Sequence, residues 1–136
     1  IHMRKYLLHV LIISFVFLLA PTVHVASYAG ELEDAKEEVR KYPDDAKAHF
    51  LLGYAYGELG KYQEAIESYK QALRIDPDYA DAHYNLGVAY ISLNDRDSAL
   101  EQYEILKNLD TEMEVLHEPS VSTIHMANEL FNLINK

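Results

Sequence analysis

An all-α fold, a stack of antiparallel helix hairpins, is predicted by three observations. The phrase HFLLGYAY at 49–56 returns thirty-four positions later as HYNLGVAY at 83–90, and 46–79 aligned without a gap on 80–113 gives 12 identities. A period of about 34 residues is that of a helix-turn-helix solenoid. Apolar residues within each copy recur at intervals of three and four, the spacing of a helix. Small residues stand at matching places in both copies, Gly53 and Ala65 in the first, Gly87 and Ala99 in the second. A side chain at these points would hold two packed helices further apart than the usual 8–10 Å or so.

The chain opens on a segment of different character. Ile1 and His2 precede Met3, which reads as the natural start and leaves the first two residues as a vector remnant. Arg4 and Lys5 are followed by an apolar run from Tyr6 to Ala20, broken by Pro21, and Ser27-Tyr28-Ala29 supplies small residues at a cleavage site. Charge, then apolar run, then small residues is the pattern of a secretory leader, cut after Ala29. The run is shorter than the roughly 20 residues that span a bilayer comfortably, so an uncleaved membrane anchor through residues 4–20 is the second reading. A buried helix over Leu7–Ala20 is a third. No cysteine is present, so a lipid-anchored leader, a disulfide framework and a thiolate zinc site are all excluded.

Residues 30–45 follow, with Leu32, Ala35, Val39 and Tyr42 as an apolar stripe and Pro43 thirty-four positions ahead of Pro77. This is the second helix of a degenerate repeat. Its missing first helix would fall inside the leader, leaving an apolar edge that invites self-association.

The first full repeat occupies 46–79. Phe50, Leu51 and Tyr54, with Leu52, Ala55, Tyr56 and Leu59 offset from them, predict a helix over 46–59 with apolar character on two sides. Asp44 or Asp45 caps its start and Gly60 ends it. Tyr62, Ala65, Ile66, Tyr69, Ala72 and Leu73 then line one face of a second helix, with Gln63, Glu64, Glu67, Lys70 and Gln71 on its wet face. Asp76-Pro77 stops it, because proline disfavours an α conformation in the residue before it.

The second repeat, 80–113, runs as helices over 82–93 and 97–109, with Asp78 or Asp81 favouring the first N-terminus through the helix dipole. It departs late: Arg96 stands for Tyr62, Leu106 for Ala72, Lys107 for Leu73 and Thr111 for Pro77, so the stop is lost. In 114–136 the Glu118-Pro119 step interrupts helix. Val121, Ile124, His125, Ala127, Asn128, Leu130, Phe131 and Ile134 then predict a last amphipathic helix that caps the stack.

The pattern resembles the tetratricopeptide repeat, which places a large residue, then Leu-Gly, then Tyr, then two small positions and a closing Pro. Leu52, Gly53, Tyr56, Ala65, Tyr69, Ala72 and Pro77 match it, and His49 stands where the family prefers Trp. The resemblance implies a right-handed superhelical stack of two full repeats, a degenerate N-terminal helix and a C-terminal cap. It also implies that the first helix of each repeat lines a concave groove. Carried over by position, the groove residues are Lys47, Phe50, Leu51, Tyr54, Gly57 and Glu58 from one repeat. The other repeat supplies Asp81, Tyr84, Asn85, Val88, Ile91 and Ser92. Phe50, Tyr54 and Tyr84 would anchor a peptide, and Asn85 stands where family members use an amide against a bound backbone. Lys47 alone is cationic there, too few charges to grip a C-terminal carboxylate.

Charge and chemistry narrow the function further. With 12 basic and 22 acidic residues the formal charge is −10, and loss of Arg4 and Lys5 with the leader takes it to −12. A surface of that sign repels phosphate backbones, so nucleic acid is excluded as a partner. His49, His83 and His117 share one period, but equivalent atoms in stacked helices lie on the order of 10 Å apart. Two nitrogens on one zinc must each approach to about 2.1 Å, so no metal is assigned. No phosphate-binding glycine loop, nucleophile elbow or HExxH stretch occurs, and neither an enzyme nor a cofactor is expected. The sequence therefore predicts a noncatalytic scaffold, exported or membrane-tethered, that binds a peptide segment or partner helix in its groove. The alternative is a self-associating module, a homo-oligomer whose groove is filled by its own C-terminal or leader helix or by another copy.

Overall fold

The computed structural model describes residues 28–115 and 121–136, so the expected leader lies outside the described residues up to residue 27, as does His117, while the leader's last two residues, Tyr28 and Ala29, stand at the start of the first helix. These residues form six helices and no strand: α1 over 28–41, α2 Ala46–Glu58, α3 Tyr62–Ile75, α4 Ala80–Ser92, α5 Arg96–Val115 and α6 Val121–Ile134. They pack as consecutive hairpins, α2 on α3 and α4 on α5, with α4 also seated against α3 and α6 against both α5 and α4. None is long and apolar enough to cross a membrane.

Each boundary has a local cause. Asp45, not Asp44, caps α2, its Oδ1 accepting the Lys47 N–H at 3.0 Å. Gly60 ends α2 with φ at 70°, a left-handed conformation that costs glycine little. Its N–H donates to the Gly57 carbonyl at 2.9 Å and that of Lys61 to Tyr56 at 2.9 Å, the paired bonds of a Schellman motif. The turn after α4 repeats this geometry with Asn94, φ 62°, in place of glycine: Asn94 N–H donates to Ile91 and Asp95 N–H to Tyr90, both at 2.8 Å. Asp95 then starts α5 by accepting from Ser98 N at 3.1 Å and Ser98 Oγ at 2.7 Å, which holds its carboxyl below the usual range. At the N-terminus of α4 no side chain caps the helix, and Asp81 sits in the first turn where the dipole favours it. α3 stops at Ile75 before Asp76-Pro77. With Thr111 at the matching place there is no such stop, and α5 runs past Leu109 to Val115.

The core is three clusters strung along the chain. Leu32 and Ala35 of α1 bury against Ala55 of α2, with Leu52, Tyr56 and Leu59 around them. Ala65, Ile66 and Tyr69 of α3 bury against Leu86 and Ala89 of α4, with Phe50 packed alongside from α2. Ala99 and Leu106 of α5 bury against Ala127, Leu130 and Ile134 of α6. Every cluster joins neighbouring hairpins, so no hairpin closes a core by itself.

The small residues lie where helices meet. A methyl group on Gly53 would fall 2.6 Å from the Tyr69 ring of α3, and one on Gly87 would fall 2.6 Å from a Leu130 methyl of α6. The outward face of α6 departs from the stripe expected of it. His125, Asn128 and Phe131 are exposed while Thr123 is buried, because 123, 127, 130 and 134 make the face that meets α4 and α5.

Candidate binding surface

His49 and His83 are structural. Each Nε2–H donates to the carbonyl of the proline six residues earlier, His49 to Pro43 at 2.7 Å and His83 to Pro77 at 2.8 Å, which ties each first helix to the turn that precedes it. His83 is the more buried and its Nδ1 also pairs with the side-chain amide of Gln102 at 2.8 Å, linking α4 to α5. Among the described residues no group of three His, Asp or Glu side chains is arranged to hold a metal.

Among the described residues, three clefts lie along the stack. The first, of about 340 Å³, is walled by Leu51, Tyr54 and Ala55 of α2 and by Glu31, Asp34, Ala35 and Glu38 of α1. The second, of about 190 Å³, runs between Tyr54, Gly57 and Glu58 of α2 and Asn85, Val88 and Ser92 of α4, over a floor that includes Tyr62, Ala65 and Tyr69 of α3. The third, of about 270 Å³, separates Tyr84 of α4 from Glu129, Asn132, Leu133 and Lys136 of α6 and the C-terminus.

Tyr54 lines two of them and is the centre of the surface; it is 45 % exposed, and Leu51 beside it 41 %. Asn85 and Val88 face Tyr54 across the second cleft. The Asn85 amide donates back to the Asp81 carbonyl of its own helix at 2.8 Å, which fixes its orientation and leaves its oxygen as an acceptor. Tyr84 is turned toward α6, where its hydroxyl donates to Glu129 at 3.2 Å; burial first, and then that carboxylate, raises its pKa. Val88 also packs against the α5–α6 cluster. Lys47, Phe50 and Asp81 line none of the three clefts. Lys47 and Asp81 are exposed, and Phe50 is half-buried with its ring 5.8 Å from that of Tyr69 and 5.1 Å from that of Tyr79.

Electrostatics set the character of this surface. The Glu58 carboxylate raises the pKa of both Tyr54 and Tyr28, whose hydroxyls hydrogen-bond to it. Burial, with lesser contributions from Tyr54 and Glu58, pushes that of Tyr69 far up and keeps the floor of the second cleft neutral. Sequence reasoning missed Glu31, Asp34 and Glu38. Their spacing of three and four put them on one face of α1, a signal that was present, but only the fold brings that face against Leu51 and Tyr54.

Paired helices repeated in line, with exposed aromatic and apolar clefts between them, define a helical-repeat protein. Sequence models described as "TPR repeat" and "Tetratricopeptide repeat" match residues 29–67, 55–94 and 80–111, together most of the described chain, and the protein belongs to the tetratricopeptide-repeat family. No curated protein matches. Among solved structures the chain is similar to the TPR2B domain of yeast Sti1 in its pHsp70 complex, at 21 % identity and TM-score 0.72, covering 81 % of this chain and 84 % of that one. It is similar also to the second TPR domain of human RPAP3 in complex with the HSP70 peptide SGPTIEEVD, at 22 % identity and TM-score 0.62, covering 82 % and 83 %. A third likeness is to MamA, at 25 % identity and TM-score 0.53, covering 76 % of this chain and 64 % of that chain. These likenesses establish the fold.

Proposed function

We propose that this protein is a noncatalytic interaction scaffold that holds a peptide segment or a partner helix along the concave groove running past Tyr54, and that it works exported or membrane-tethered. The observation that carries the reading is the exposure of Leu51 and Tyr54 side by side where two clefts meet. Large apolar side chains left open together mark a surface meant to be covered, and an aromatic anchor is the commonest source of binding energy in such a surface. Two of the similar structures are complexes with Hsp70 or a peptide from it, which supports peptide capture as the mode. The RPAP3 peptide carries two Glu and one Asp, whereas Glu31, Asp34, Glu38 and Glu58 line the clefts here, so an acidic ligand of that kind is disfavoured. The leader pattern at 4–29 is what supports export or tethering.

The test is capture of partners from a native envelope fraction by the full chain and by Tyr54→Ala. Because Tyr54 is exposed, the substitution should leave helicity intact and reduce capture at least tenfold, as loss of an anchor does. Undiminished capture would remove the groove from consideration. A second reading, self-association or self-filling of the groove, draws support from α6, which already bonds to Tyr84 and belongs to the cluster against which Val88 packs. Light scattering across concentration separates the two, since only self-association makes the mass depend on concentration.

A further inference from the structure

We propose that the cleft between α1 and α2 selects a partner segment that is positively charged as well as apolar, a peptide presenting Lys or Arg next to a Leu-like or aromatic side chain. The inference rests on the groove reading above and adds the chemistry of the ligand. It comes from how α1 sorts its charges. Lys36 pairs with Glu33 at 2.7 Å and Arg40 with Glu37 at 2.8 Å, and none of these four residues lines the cleft. Glu31, Asp34 and Glu38, at spacings of three and four, line the cleft instead, opposite Leu51 and Tyr54. Among the described residues no cation pairs with any of these three. Two of the three basic residues of α1 are thus spent on acids outside the cleft, the third, Lys41, lies 4.8 Å over the Tyr42 ring, and three carboxylates stand together beside an apolar wall. Like charges held this close repel, and a bound cation relieves them.

The second cleft continues the same sign, since Glu58 sits at its edge where Tyr28 and Tyr54 donate to it. A segment lying across both clefts therefore meets an apolar seat at Leu51 and Tyr54 with acids on either side. Lys and Arg suit such a seat because their methylene stems cover apolar surface while the charged head reaches the carboxylates. Tyr54 also offers a ring face to a guanidinium. A neutral peptide would satisfy the wall and leave the acids bare, and an acidic one would be repelled by them.

The experiment uses the full chain and three fluorescein-labelled synthetic peptides of one length, built of Leu and Tyr with Lys, Gln or Glu at the remaining positions, read by fluorescence anisotropy. The Lys peptide should bind at least tenfold tighter than the Gln peptide, the Glu peptide should not bind, and the preference should fall as added salt shortens screening to a few ångströms. Glu31→Gln, Asp34→Asn and Glu38→Gln together should erase the preference, whereas Glu33→Gln with Glu37→Gln, outside the cleft, should keep it. All five positions are solvent-accessible, so folding is not at stake. Equal binding of the Lys and Gln peptides, lost alike in Tyr54→Ala, would overturn the charge preference and leave the groove standing. Binding of none of the three, as when the cleft is filled by another segment of this chain, would overturn both. A Lys preference that survives the triple substitution would place it elsewhere and overturn the assignment to α1.

Discussion

His49 and His83 occupy one position of the repeat and make the same bond to a preceding proline carbonyl, yet they are not equally important. His83 is also joined to Gln102, a buried amide, while the matching place in the first repeat holds Ser68, whose hydroxyl donates to Glu64 of its own helix. Removing His83 leaves a buried amide with no partner, and that penalty exceeds the value of the bond itself. We expect His83→Ala to cost about 2–4 kcal/mol and His49→Ala about 1 kcal/mol, measured by urea denaturation followed by circular dichroism. Similar losses at both sites would mean that the Gln102 contact contributes nothing. The sequence made the period of the histidines plain, and distance alone argues against a metal string along them. It did not reveal the proline carbonyls as their partners, since six residues separate donor from acceptor and only the turn closes that gap. Gly60 was readable as a helix end, whereas Asn94 was not, although it repeats the glycine's left-handed turn thirty-four residues on. Asparagine signals that conformation weakly, because it serves as well in many other settings.

At the level of elements, the same small residue serves two different neighbours. Gly53 makes room for the Tyr69 ring of its own hairpin partner, and Gly87 makes room for Leu130 of α6. A ring cannot move aside without turning its whole plane, whereas the methyls of a leucine can rotate about one bond. Gly53→Ala should therefore overpack its site by about 1–3 kcal/mol, against roughly 1 kcal/mol gained from helix propensity. Gly87→Ala should fall within about 1 kcal/mol of neutral by the same balance. Thermal melts of the two variants check the order, and a greater loss at Gly87 would show that Leu130 is locked in place. The helices were legible from periodicity, and so was the lost stop after the second repeat. How far α5 then continues was not, because nothing local to residues 110–115 ends it. The groove positions were legible only in part. Tyr54, Asn85 and Val88 do gather at one cleft, but Phe50 is drawn into the core by Tyr69 and Tyr79, and Tyr84 is drawn to α6 by Glu129. Both outcomes depend on residues more than twelve positions away, which a repeat pattern does not specify.

On the scale of the whole molecule, a linear stack has two ends, and each end is an apolar face that must be covered. At the C-terminal end α6 does this, seating Ala127, Leu130 and Ile134 over Leu106 and Ala99 of α5 and against Tyr84, Val88 and Ile91 of α4. Leu106, which stands where the first repeat has Ala72, is fully buried in this contact. The cap is thus part of the fold's closure as well as a wall of the third cleft. A chain ending at Val115 would bare Tyr84, Val88, Ile91 and Leu106 together, a patch of the kind that drives association. Its mass in light scattering should rise with concentration more steeply than that of the full chain, and a synthetic peptide of residues 121–136 added in excess should reverse the rise. The same peptide with Leu130→Ala should fail, since a buried leucine truncated to alanine forfeits about 2–5 kcal/mol. If the shortened chain were as monodisperse and as helical as the whole, the apolar end would need no cover, and α6 would be an appendage resting on a stack already complete.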